Sequence, residues 1–123
     1  MSYHLIIEDR RAYVYAKATG ERTPANAMRF LEEASAACVK GGHAAPLLDM
    51  ASSGPSLAAA NVYDVISRRA PEGLRLRKIA YVQTSIDDKE MPQFAENVAR
   101  NRGVNVRLFP DVAAGDRWLS GED

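Results

Sequence analysis

The feature that most constrains this chain is an alternation of period. After residue 23, stretches with helical spacing give way three times to short apolar runs and then resume. Helices that separate strands in this way place those strands in parallel, joined by right-handed crossovers. Ahead of the alternation lie two strand-like segments, Leu5 to Glu8 and Ala12 to Thr19, around Asp9-Arg10-Arg11. A link that short makes the pair an antiparallel hairpin. In its second strand Ala12, Val14, Ala16 and Ala18 share one face and Tyr13, Tyr15 and Lys17 the other. The spacing leaves open whether the two-tyrosine face is core or an exposed patch.

The remaining elements follow from local signals. Thr23-Pro24 starts a helix, with Thr as N-cap and Pro in the first turn. Phe30, Leu31, Ala34, Ala37 and Cys38 form its stripe, and Gly41-Gly42 stops it. Ala45 to Met50 reads as a strand. A second helix, capped by Ser53 or Ser56, carries Ala58, Val62, Val65 and Ile66 inward and breaks at Pro71 and Gly73. Lys78 to Gln83 has the continuous apolar middle of a strand covered on both faces. Ser85 to Asp88 opens a third helix with Met91, Phe94, Ala95, Val98 and Ala99 on its stripe. Pro92 stands either in the first turn of a late start or at a kink. Val104, Val106 and Leu108 alternate in a last strand, and Asp111 caps a helix bearing Ala114, Trp118 and Leu119. The expected order is β-β-α-β-α-β-α-β-α. This is an α/β sandwich with a mixed, mostly parallel five-stranded sheet and four helices, in a single domain over residues 1–123.

Bulk properties exclude several classes. The 123 residues can bury roughly two-thirds of the surface an unfolded chain exposes, so a core forms without metal or disulfide. Lys+Arg and Asp+Glu both number 16, which gives no basic face for nucleic acid. The cluster LRLRK (Leu74 to Lys78) reads as a solvated strand entry. One cysteine, Cys38, leaves no partner for an intramolecular disulfide and no multi-cysteine metal set. The start, MSYHLIIEDRR, lacks the apolar run of a signal peptide, and no stretch approaches the ~20 apolar residues of a membrane helix. A cytoplasmic chain without a cofactor is expected.

In open α/β sheets, ligands bind beyond the carboxyl ends of parallel strands. Asp49-Met50-Ala51-Ser52-Ser53-Gly54 and Gln83-Thr84-Ser85 fall there, with Phe109-Pro110-Asp111 behind them. The candidate rim is therefore Asp49, Ser52, Ser53, Ser56, Thr84 and Ser85. Asp49 either accepts N–H bonds from the following loop or presents its charge to a ligand or partner. The serines read as caps and turn residues, since a serine nucleophile needs a base within reach and an oxyanion hole. His43 precedes the strand that ends at Asp49 and so belongs at the other end of the sheet, on the order of 15–20 Å away. No triad is expected, and two distant histidines give no zinc set. Gly41-Gly42 lacks both phosphate-loop patterns, and Cys38 belongs to the core.

The segments YVYAKATGERTPANAMRFLEEA (Tyr13 to Ala34), APLLDM (Ala45 to Met50), KIAYV (Lys78 to Val82), FAENVARNRGVNVRLFPD (Phe94 to Asp111) and DRWL (Asp116 to Leu119) together resemble the STAS domain, the fold of anti-sigma-factor antagonists. They are closest to its small SpoIIAA-like members. The resemblance implies a non-enzymatic regulatory domain that binds a protein partner, such as a regulatory kinase or an anti-sigma-like factor. In antagonist members a serine of a D-S-S-G motif is phosphorylated, which makes Ser52 and Ser53 the corresponding phosphosites. Here Ala51 stands where that motif has aspartate. The SpoIIAA-like group is also similar in fold to lipid-binding CRAL-TRIO domains, which implies a small apolar, lipid-like ligand as the alternative. The alanine-rich first two helices agree with space beneath them. A homodimer through the hairpin edge or an apolar helix face is compatible with the sequence.

Overall fold

The computed structural model describes residues 3–83 and 90–121. Its elements run β1 (Tyr3–Asp9), β2 (Val14–Gly20), α1 (Pro24–Gly41), β3 (Pro46–Met50), α2 (Ala59–Gly73), β4 (Ile79–Val82), α3 (Glu90–Asn101), β5 (Val106–Phe109) and α4 (Val112–Leu119). The strands form one sheet in the order β1-β2-β3-β4-β5, antiparallel between β1 and β2 and parallel at the other three seams. The expected α/β architecture, with a mixed five-stranded sheet and four helices, is the observed one. The expected start of the third helix over Ser85 to Asp88 lies outside the described residues.

Each face of the sheet closes its own core. On one face α1, α2 and α3 cover a cluster that includes Ala16, Ala18, Phe30, Leu48 and Ile79. On the other, α4 covers Tyr13, Tyr15, Leu47, Ala80 and Val82, with Trp118 and Leu119 pressed onto them. The two-tyrosine face is thus core. Lys78 Nζ closes this side by donating to the Trp118 carbonyl at 2.9 Å while lying 4.7 Å over the indole. Gly115 lets α4 approach: a Cβ there would stand 3.1 Å from Leu47 Cδ1 and 3.3 Å from Ala80 Cβ.

Local signals account for most element boundaries. Thr23 accepts from the Asn26 N–H at 3.0 Å and Pro24 occupies the first turn of α1, where a missing N–H costs nothing. Gly42 ends α1 in the left-handed region at φ 73°, and the His43 N–H returns to the Cys38 carbonyl at 2.9 Å. Asp111 caps α4 by accepting from the Ala114 N–H at 2.9 Å. Pro92 falls in the first turn of α3 and is buried there. In the hairpin, Asp9 Oδ1 accepts from the Arg11 N–H at 2.9 Å and Arg11 takes φ 69°, so β2 begins two residues later than expected.

The second helix departs from expectation at both ends. Neither Ser53 nor Ser56 caps it. It starts at Ala59, with exposed Ala58 as N-cap and no side-chain cap bond. The cause is the segment after β3, which continues alongside the extension of β2. The Ala51 N–H donates to the Ala18 carbonyl at 2.9 Å, Ser53 N–H to the Gly20 carbonyl at 2.7 Å, and Arg22 N–H to the Ser53 carbonyl at 2.8 Å. Those bonds hold residues 51–53 extended and delay the helix. At the far end, Pro71 lies inside α2, which runs on to Gly73. So close to the terminus the missing N–H removes a single bond.

Candidate functional site

The roof of the sheet on the α1–α3 side does not fill. Between it and the strands lies a cavity of about 160 Å³. Its floor includes Ala18, Leu48 and Val106, and its walls include Phe30 and Val62. Ala27 and Ala34 on α1, Ala70 on α2, and Ala95 and Ala99 on α3 also line it. Alanine at these positions gives the helix faces above the sheet little side-chain bulk.

The polar part of the lining comes from the carboxyl ends of the parallel strands and the segment beyond them. Arg22, Ser52, Ser56, Tyr81 and Gln83 all line the cavity. Arg22 follows β2 and donates to the Ser52 carbonyl at 2.6 Å and to the Gly54 carbonyl, clamping the loop after β3. Gly54 takes φ 105°, a conformation that side chains rarely adopt, and so permits the turn at which the clamp closes. Tyr81 donates to Gln83 Oε1 at 3.4 Å. Burial pushes its phenol up to about 12, against an opposing pull from the Arg22 charge, so it is a neutral donor at physiological pH.

The described rim residues separate into three groups. Ser52 and Ser56 line the cavity. Ser52 is only 7% exposed, whereas Ser53 is exposed and donates from its hydroxyl to the Gly20 carbonyl at 3.2 Å. Asp49 turns the other way. It shares a face of β3 with Leu47, on the α4 side, where it is 6% exposed and accepts from the Tyr15 hydroxyl at 2.6 Å. A side-chain phenol in the core, rather than the N–H groups of the next loop, is the partner this structure gives it. Thr84 and Ser85 lie outside the described residues.

Other candidate groups lie elsewhere. His43 is at the opposite end of the sheet, with Nε2 3.0 Å from Asp9 Oδ1, far from Asp49 and Ser52. Cys38 is fully buried on α1, and burial pushes its thiol up to about 11, well away from thiolate reactivity at neutral pH. Among the described residues no group of three His, Cys, Asp or Glu side chains could hold a metal ion, and no helix is long and apolar enough to cross a membrane.

Sequence reasoning passed over Arg22 and Tyr81. Arg22 stands in a polar linker and Tyr81 within an apolar strand, so neither carries a local signal. Only the parallel pairing of β2, β3 and β4 brings their neighbourhoods together. Gln83 directly follows β4, at the carboxyl end of a parallel strand where the sequence points to a rim. Comparisons with family models, with curated proteins and with solved structures gave no match.

Proposed function

We propose that this chain is a carrier or sensor of a small apolar molecule, held in the cavity beneath α1, α2 and α3. The observation that carries this reading is the cavity itself: about 160 Å³ beneath the helices, with apolar side chains over most of its lining and polar groups from the strand ends. Cavities of about 150 Å³ accept a benzene ring. The occupant is accordingly a small ring or a short acyl chain of about six to ten heavy atoms. Binding is the physical use of an apolar cavity with a few convergent polar groups.

Native mass spectrometry of protein isolated from its own host tests this directly. A bound small molecule is expected, released on denaturation and absent from Ala27→Leu, whose side chain would enter the space. Apo protein alone, together with no thermal shift from benzene- or hexane-sized probes, would sink the proposal.

A second reading follows from the STAS-like pattern and is favoured by one observation, the exposure of Ser53. In that reading the chain is a regulatory domain whose loop after β3 docks on a protein partner, such as a kinase or an anti-sigma-like factor. Ser53 rather than buried Ser52 is then the phosphosite. Phosphorylation adds about two negative charges to the clamped loop. Intact-mass analysis of host-derived protein and partner capture with Ser53→Asp test it. An unmodified mass together with unchanged capture would rule it out.

A further inference from the structure

The two edges of the sheet are not alike. At one edge β5 has four residues, carries Arg107 and is followed at once by Pro110. Short length, charge and proline are the usual devices that keep an edge from pairing. At the other edge β1 has seven residues, contains no Pro, Gly or Lys, carries its carboxylates Glu8 and Asp9 only at its last two positions, and pairs with β2 in unbroken register from Tyr3 to Asp9. Its outer side pairs with no other strand among the described residues. Ile6 is 47% exposed and Ile7 41%.

The sequence of β1 is also complementary to itself. When it is laid antiparallel against a second copy with a two-fold axis through Ile6, all seven residues pair. Ile6 meets Ile6, Leu5 meets Ile7, His4 meets Glu8, and Tyr3 meets Asp9. Directly opposed residues share a face. The Ile6 pair therefore lies on the α4 side, flanked on each side by a His4–Glu8 pair, while the two Leu5–Ile7 pairs lie on the α1 side, where Leu5 already packs on the core. This register covers both exposed isoleucines and brings no like charges into opposition.

We propose that the partner for this edge is a second copy of the chain: an isologous dimer in which two β1 strands join the sheets into one of ten strands, with α1, α2 and α3 of both copies on the same side. The occupant is set by the apolar matches and the absence of opposed like charges along a single strand, since within one copy Glu8 already pairs with Arg10 at 2.7 Å and the Tyr3 hydroxyl already donates to Glu33 at 2.9 Å. It is independent of what fills the cavity. A single strand edge is a small interface beside the roughly 1,200–2,000 Å² of stable complexes, so association in the micromolar range is expected.

Sedimentation velocity from about 1 μM to about 1 mM should show reversible dimerisation. Ile6→Lys opposes two lysines at the axis and should weaken the dimer at least tenfold, with an unchanged circular dichroism spectrum. Cross-linking reads the register. Opposed residues on antiparallel strands have Cα atoms about 4.5–5.5 Å apart, within disulfide reach. Ile6→Cys should therefore oxidise to a covalent dimer. His4→Cys mixed with Glu8→Cys should give a mixed dimer that neither variant gives alone, and buried Cys38 should remain free. A monomer across the whole concentration range would overturn the proposal. So would a dimer that is indifferent to Ile6→Lys and not trapped by Ile6→Cys, which would place the contact on another face.

Discussion

The Tyr15 hydroxyl donates a 2.6 Å hydrogen bond to Asp49 Oδ2, joining neighbouring parallel strands on the α4 side of the sheet. Arg10 lies 4.2 Å over the Tyr15 ring and covers it from outside. Burial first, and then the Asp49 carboxylate, raises the phenol's pKa, so Tyr15 stays a donor throughout the physiological range. Tyr15→Phe removes the hydroxyl that faces a buried carboxylate and should cost about 1–3 kcal/mol. A lower urea midpoint at unchanged slope would report that loss. Uptake of an apolar ligand should be unaffected, because the pair lies across the sheet from the cavity. If Tyr15→Phe folds but no longer binds, the cavity is the wrong site.

Ala27 tests the cavity from within. It is half-buried and lines the space from α1. Overpacking a core position such as Ala34, 1% exposed, costs about 1–3 kcal/mol, but the added carbons of Ala27→Leu enter the cavity. The variant should match wild-type stability and bind small apolar probes at least tenfold more weakly. A loss of several kcal/mol in thermal unfolding would mean that the space is not there to be filled.

Gly115 tests the packing of α4. Its missing side chain would meet Leu47 and Ala80 below ordinary contact distance, and Ala80 Cβ cannot move without its strand. Gly115→Val should destabilise by about 1–3 kcal/mol in denaturant unfolding. Gly115→Ala should fall closer to neutral, because a gain of about 1 kcal/mol in helix propensity opposes the contact.

Cys38 gives a pH signature. Burial raises the thiol from its ordinary 9.0 to about 11 in the folded chain. A raised folded pKa means that stability is intact below the unfolded value and is lost as pH rises towards the folded one. Between pH 8 and pH 10 the wild type should lose roughly 1 kcal/mol relative to Cys38→Ala, read by paired urea titrations. A thiol reagent at pH 8 should modify Cys38 only as fast as the protein opens. Rapid modification of folded protein would contradict the burial.

The sequence by itself determined the order of elements, because periodicity, caps and stops are local. Thr23-Pro24, Gly42 and Asp111 each act on the backbone within a turn of themselves, and the alternation after residue 23 dictated a parallel sheet. It also placed Ser52, Ser56 and Gln83 at the strand ends, which is where the cavity's polar lining lies. Tertiary structure alone decided which way those residues face and what surrounds them. Asp49 and Ser52 are three positions apart, yet strand alternation turns the first into the α4 core, while pairing beside β2 carries the second to the cavity. The late start of α2 has the same cause: backbone bonds from Gly20 and Arg22, some thirty residues away, outcompeted the serines as caps. Void space beneath three helices is likewise a property of how far apart the helices are held, and no single residue or its near neighbours encode that distance.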